Sequence, residues 1–447
     1  MSNWSNPATI TQLSIDDLNI TTGENEKIEL LGGFLQFEYF ESLLSPYTTA
    51  NLLFIDTGYA VLAGAQEDLQ ERLGTMRSST ETLKGKTLTV KISHPSKESG
   101  IEGDGLEFSA DNPWKILDIP LVLDSDKVEV LTFKLRPQYA INNEKTKAYK
   151  TYVNKIRDNI IDLIAGSPED GGLGINPGGM ERYDDTVNKC TESGQGRKPF
   201  DVIISLARQA IPAIPANAKP GCFFFETQDG FNFKGIDNLI NQPSAFAYVS
   251  GGTATFCEGS NFRILEYQVK SSMRDLFKSF NYGEAMNHTT FDPITFTWKE
   301  TLKVVEDGGF NLGGNSLQTE IVEEMVNAPT YFDLQGFDSG NVGISSEINN
   351  NPEIWRVQAL TRYNSLLNKI IDIVVPCNLE LRVGQVIDCA WMKKTAKPEQ
   401  GASDEKLSGR YLIMHLSHKF NGTGQTGSLT HMTIVRDTDG IYSSGDN

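Results

Sequence analysis

The histidines His94, His288, His415, His418 and His431 are the residues best suited to metal or proton chemistry, and their spacing builds no site. His415 and His418 lie three apart in a segment that reads as a strand, and that offset puts them on opposite faces. No third ligand stands at a supporting spacing, so no metal is expected. The cysteines Cys190, Cys222, Cys257, Cys377 and Cys389 are scattered, without a CxxC pair. An odd, irregular set predicts buried free thiols. Cys222 stands beside Phe223–Phe225, an apolar setting that disfavours a thiolate nucleophile. Acidic pairs occur at Asp16-Asp17, Asp184-Asp185 and Glu323-Glu324. A glycosidase needs two carboxylates about 5–10 Å apart across a cleft, but among 58 acidic residues such neighbours arise by chance. Gly171-Gly172-Leu173-Gly174 neither follows a strand nor opens a helix, and no Gly-Lys-Ser/Thr follows it, so it reads as loop rather than phosphate cradle. There is no Gly-x-Ser-x-Gly elbow. The expected sets of catalytic, cofactor-binding and metal-binding residues are therefore empty, and the chain reads as non-enzymatic.

What must the rest of the chain position, if not a catalytic centre? Its 447 residues suffice for about three domains. With 22% charged and 39% hydrophobic residues the composition is that of an ordinary globular protein. The formal charge of −18 opposes tight binding to nucleic-acid backbones and favours solubility. It leaves room for DNA to pass through a channel that does not hold it. No apolar run approaches the ~20 residues of a membrane span. The segment Met1–Ile20 is polar and acidic and lacks the basic and apolar regions of a signal peptide, which predicts a cytosolic product.

Residues 27–138 read as β-rich. Leu30–Phe40 alternates aromatic and polar residues, and Asn51–Asp56 repeats an apolar run after Ser45-Pro46. Leu88, Val90 and Ile92 alternate with Thr87, Thr89 and Lys91, and Trp114–Leu117 and Val128–Leu135 add two more strands. Short strands at this spacing predict a small barrel or sandwich. Lys145–Ile164 has helical spacing through Tyr149, Tyr152, Val153, Ile156, Ile160, Leu163 and Ile164. Gly166–Gly179 then reads as a loop or flexible insertion.

Phe200, Val202, Ile203, Leu206 and Ala207 predict a helix stopped by Pro212 and Pro215. Cys222–Lys234 is a hairpin: alternating phenylalanines flank Gln228-Asp229-Gly230. Its aromatics serve either a core or a partner surface. Short helices follow at Ile236–Ile240 and Ser271–Phe280, then loops over Gly308–Asn351 and a helix over Pro352–Leu367. Strands return at Ile370–Val375, Val386–Trp391, Tyr411–Phe420 and Leu429–Arg436. The chain ends as it begins, in a β-rich unit, yet no short sequence repeat links the two.

Two stretches carry a resemblance. Lys198–Ala210 (KPFDVIISLARQA) followed by Cys222–Lys234 (CFFFETQDGFNFK) resembles the helix-then-hairpin unit of the central hub proteins of contractile, myovirus-type phage baseplates. Related hub parts open the spike proteins of type VI secretion. Ser408–Phe420 (SGRYLIMHLSHKF) with Leu429–Asp437, entered through Leu381–Asp388, is similar to the closing strands of the hub's tube-type barrel. Phe34–Asp56 looks like the start of the other barrel. The likeness covers about half the chain, and it is the order of these motifs that gives it force.

The resemblance implies an α+β, β-rich fold of two tube-type β-barrel domains with a mixed α/β insertion between them. Residues 1–138 would form the first barrel and 139–198 a helix and Gly-rich insertion. Residues 199–325 would form a mixed middle domain, and 326–447 a helix and the second barrel. It implies a structural homotrimer in the virion, assembled in the host cytoplasm: a pseudo-sixfold ring that joins the sixfold tail tube to the threefold spike and lets DNA pass during ejection. Implied partners are the spike or spike-lysozyme protein, tail tube initiator proteins and inner baseplate wedge proteins, with no cofactor, no specific nucleic-acid binding and no membrane insertion. No needle repeat follows residue 437, so the spike is expected to be a separate protein. Two rival readings stand beside it: a peripheral receptor-binding or other tail structural protein, and a virion-associated cell-wall hydrolase.

Overall fold

The structure is a computed structural model. It describes residues 9–18, 26–56, 83–93, 106–108, 113–125, 128–215, 218–250, 261–270, 285–292, 296–304, 330–334, 352–392, 404, 407–422 and 428–437. The fold is α+β and β-rich, and its main sheet holds 16 strands.

The first part of the chain supplies β1 (Thr9–Leu18), β2 (Glu26–Glu29), β3 (Phe34–Ser42), β4 (Thr49–Asp56), β5 (Thr87–Ser93), β6 (Leu106–Phe108), β7 (Trp114–Asp118), β8 (Leu121–Ser125) and β9 (Val128–Pro137). Their apolar residues fall two apart: Phe37 and Tyr39, Leu52 and Phe54, Val90 and Ile92, Phe133 and Leu135 are all buried in one core. That is the pattern of strands covered on one face. All pairings here are antiparallel. β1 lies between β2 and β5, β5 meets β7, β7 and β8 both pair with β9, β9 pairs with β4, and β4 with β3. Because β2 runs through Leu30–Gly33 into β3, the path ends on the stretch where it began. Residues 26–29 pair with β1, and residues 34–40 pair with β4. At the bend a Cβ on Gly33 would lie 2.4 Å from the Phe54 ring and 2.5 Å from the Ile55 carbonyl, so only glycine lets the turn lie on β4.

The middle of the chain is a helical body: α1 (Gln138–Lys145), β10 (Thr151–Tyr152), α2 (Ile156–Ala165), β11 (Glu192–Ser193), α3 (Pro199–Gln209), the hairpin β12 (Cys222–Thr227) and β13 (Gly230–Gly235), and α4 (Ile236–Asn241). Tyr152, Ile156, Ile160, Leu163, Phe200, Ile203, Leu206, Phe224 and Phe233 share one core, so residues 139–198 and the helix–hairpin unit pack as one body. The helix expected over 145–164 is shorter. It starts at Ile156, after a segment in which Tyr149 and Val153 are exposed. α1, whose residues carry little apolar periodicity, was not foreseen. The Gly166–Gly179 stretch is a loop, the first of the two readings, and it is anchored to α2. Leu173 is buried, and the amides of Leu173 and Ile175 donate to Leu163 and Ile164 at 2.9 Å each, sealing the end of α2. Gly171 makes that return possible with φ +84°.

The last part supplies β14 (Ser244–Ser250), β15 (Asn261–Arg263), β16 (Glu266–Val269), β17 (Ala285–Asp292), β18 (Thr297–Val304), β19 (Thr330–Leu334), α5 (Pro352–Leu366), β20 (Lys369–Pro376), β21 (Val386–Trp391), β22 (Gly409–Asn421) and β23 (Leu429–Arg436). β17, β18 and β19 form a separate sheet, so a strand interrupts the stretch read as loops over 308–351. The helix expected over 271–280 lies outside the described residues. β14 pairs with β15 and β21, β21 with β22, β22 with β23, β23 with β20, and β20 with β16. Here too the path ends on the stretch where it began. The Ile264 amide donates to Val249 of β14, and the next amide, Leu265, donates to Val374 of β20.

The two strand units thus share one connection scheme. In each, the first strand lies between the second and the fourth. The second also pairs with the third, the third with the sixth, the sixth with the fifth, and the fifth with the fourth. One element differs: β1 runs antiparallel to both neighbours, whereas β14 runs parallel to both.

Candidate functional site: the joint between the two strand units

β22 is 13 residues long, and its length makes the joint. One edge carries β23. The other carries β21 at residues 409–412 and then β3 at residues 415–421. β3 is shared in the same way, with β4 on one edge and β22 on the other. Across this ladder Phe37 packs on Phe420, with ring centroids 6.2 Å apart. Tyr39 stacks on His418 at 6.3 Å with the planes 4° apart. His418 is buried, and its Nδ1 lies 2.9 Å from Thr430 Oγ1. Burial holds its imidazole down at about 3, so it stays neutral. His415 points the other way and is half-buried. The two histidines occupy opposite faces, as their offset predicts.

The hairpin β12–β13 wedges into this joint. All six residues of β12 are buried, because both of its faces are covered. Phe224, Phe231 and Phe233 enter the core of the helical body, while Phe223 and Phe225 enter that of the second strand unit. The hairpin aromatics are therefore core. Gly384 (φ +86°) packs against it, where a Cβ would come 2.9 Å from the Phe225 ring. Arg382 donates to Asp229 at the hairpin turn, 3.1 Å away.

Two buried carboxylates bind the parts together. Glu41, at the end of β3, accepts from the amides of Gln228 (2.8 Å) and Val383 (3.0 Å) and from the Tyr39 hydroxyl (2.9 Å). One side chain thereby ties the first unit to the hairpin turn and to the loop entering β21. Glu226, on β12, accepts from the Thr48 amide (2.7 Å), the Thr48 hydroxyl (3.0 Å) and the Tyr139 hydroxyl. Burial raises both carboxyls, Glu226 to about 7, against the pull of their donors. The same burial raises Tyr39 and Tyr139. With their acceptor sites filled by backbone and hydroxyl donors, these carboxylates act as clamps. On the far side of the hairpin, Arg362 of α5 donates to Asp237 of α4 at 2.7 Å, and the Tyr363 hydroxyl donates to the Cys222 carbonyl.

The other residues singled out in the sequence are placed separately. Asp184 accepts from the Gly235 amide (2.8 Å) and Lys234 (3.0 Å), and Asp185 from Lys155 (3.1 Å). Both are structural. Cys190 and Cys377 have thiols that burial pushes up to about 12, and burial raises Cys222 and Cys389 as well. Cys257, His94 and Glu323-Glu324 lie outside the described residues. Sequence reasoning missed Glu41 and Glu226. The available signal was a Glu closing an aromatic run, FEYFES at β3 and FFFET at β12.

No protein-family model matches the sequence, and no curated protein matches it. Solved structures do. The 43 kDa tail protein of prophage MuSo2 from Shewanella oneidensis is 11% identical and matches over 95% of this chain and 98% of its own, with a TM-score of 0.51. A tail protein from Neisseria meningitidis MC58 is 10% identical over 96% of this chain and 97% of its own, at 0.49. A type VI secretion component of E. coli, described as structurally similar to the T4 tail proteins gp27 and gp5, is 10% identical over 97% of this chain and 79% of its own, at 0.42. At such identities the likeness is one of fold. This chain shares its fold, over nearly its whole length, with a prophage tail protein.

Proposed function

We propose that the chain is the central hub of a contractile-tail baseplate, a structural protein of the virion without enzymatic activity. The observation that carries this is the joint itself. One chain presents two strand units of the same connection, fused edge to edge through β3 and β22. An adapter between sixfold and threefold parts needs such a chain, because three copies then offer six like units. The fold shared with the prophage tail protein supports the same reading. Each unit acts as a tube-type barrel, the first from residues 9–137 and the second from residues 244–269 and 369–436. The helical body of residues 138–241 braces them from one side. The homotrimer seats on the spike or spike-lysozyme protein, receives the tail tube initiator proteins and inner wedge proteins, and leaves an acidic lumen through which DNA passes.

The test is the mass of the purified chain by light scattering, alone and with the neighbouring spike protein. Three times the chain's 49.4 kDa, alone or in a 3:3 complex, is the expected result. A mass of one chain under both conditions overturns the hub reading and returns the protein to the tail periphery.

A further inference from the structure

The shared connection scheme lets residues of one unit be matched to residues of the other through their ladders, without any sequence similarity. In the first unit Tyr39 pairs with Ala50, Ala50 with Leu135, and Leu135 with Ile116. In the second, Val269 pairs with Ile371, Ile371 with Ile434, and Ile434 with Ile413. Val269 is therefore the counterpart of Tyr39. Each fifth strand has a register shift just past this point, between Ile116 and Asp118 and between Ile413 and His415. Beyond it, Leu121 pairs with Leu131, and His418 with Thr430. Counting along both ladders, Leu121 is the counterpart of His418.

Within the chain, His418 of the second unit stands opposite Tyr39 of the first. Their counterparts, Leu121 on β8 and Val269 on β16, have no strand opposite them among the described residues. β8 carries β9 on one edge, and β16 carries β20 on one edge. Tyr39 is 1% exposed, whereas Val269 is 44% exposed, and its neighbour Leu265 is 45% exposed. Lys270 donates its amide to Ile370, so along β16 the even-numbered residues bond to β20. The amide and carbonyl of Val269 therefore face the second edge. A bare edge with apolar residues is a site for another strand.

We propose that the occupant is a second copy of this chain. β8 of one copy pairs antiparallel with β16 of the next, with Leu121 opposite Val269, repeating between chains the joint that β22 and β3 make within one. Repeating one joint in both places gives a ring of alternating first and second units in which β8 and β16 are no longer bare. The number of copies at which it closes rests on the hub reading; the pairing rests on the ladders.

The test is the double variant Leu121→Cys/Val269→Cys under mild oxidation, with the spike protein present. Directly opposed strand residues have Cα atoms within disulfide reach. The expected result is a ladder of covalent dimers and trimers, absent from either single variant and weaker in Leu121→Cys/Tyr267→Cys, where the register is displaced. A second variant, Val269→Pro, removes an amide that β20 does not use. It should remain folded and fall to the mass of one chain. An assembly of three chains without the 121–269 link, or a Val269→Pro chain that still assembles, overturns the pairing and leaves the hub reading standing. A wild-type mass of one chain overturns both.

Discussion

The first and second strand units connect six strands in the same order, yet they handle their second strand differently. In the first, β3 is sheltered on both edges, and its inward residues Phe37 and Tyr39 are buried against β22. In the second, among the described residues the matching β16 pairs on one edge only, and Val269 and Leu265 are exposed. The scheme of connections decides which edges exist; what lies alongside decides whether they are stable in water. On the pairing proposed above, the joint that one chain makes within itself is repeated between copies.

This contrast can be broken at matched positions. The largest effect is expected for Tyr39→Ala, which removes a ring packed on His418 and Trp114 and takes one donor from Glu41. A loss of about 4 kcal/mol is expected in denaturant unfolding, as for other buried aromatics cut to alanine. A loss below about 1 kcal/mol would mean that the joint is not a continuous core.

The next effect is expected through pH. Glu226 clamps the first unit to the hairpin, and its carboxyl is raised from an ordinary 4.5 to about 7. A raised folded value means that its contribution is fully present below pH 4.5 and is lost as pH rises through 7. The size is about 3 kcal/mol. His418 works with the opposite sign, since its lowered value costs stability as pH falls below 6.5. The clean measurement is therefore wild type against Glu226→Gln. The difference between them should change across pH 4.5–7, and parallel curves would show that Glu226 does not titrate there.

A smaller loss belongs to the second unit's contact with the hairpin. Gly384→Ala places a Cβ against the Phe225 ring at a left-handed backbone position, and about 2 kcal/mol is expected in chemical unfolding. An unchanged midpoint would mean that the entry loop to β21 is not held by the hairpin. The smallest effect closes the comparison. Val269→Ala, at the position matched to Tyr39, should cost the free chain under about 0.5 kcal/mol. A loss like that of Tyr39→Ala would show β16 to be already covered.

Much of this was legible in the sequence because it depends on neighbours in the chain. Period-two runs such as Leu88, Val90 and Ile92 marked strands, and an apolar stripe ended by Pro212 marked α3. Gln228-Asp229-Gly230 between phenylalanines marked the hairpin. His415 and His418 could be parted by counting alone. The helix start at Ile156 was misplaced because Tyr149 and Val153 fit the helical stripe yet face solvent. Periodicity records which residues are apolar, not which ones find a core.

The pattern along the chain marked α3, the hairpin and the β-rich character of both ends, since local sterics and alternation set these before any long-range contact forms. Only tertiary structure decided that the two ends repeat one connection scheme, that β22 is long enough to serve both units, and that Glu41 and Glu226 sit where three parts of the chain meet. Those facts depend on pairings such as Val383 with Glu41, 342 residues apart. No local propensity encodes a partner at that distance; it is fixed when the cores are packed and each buried carboxylate must find donors.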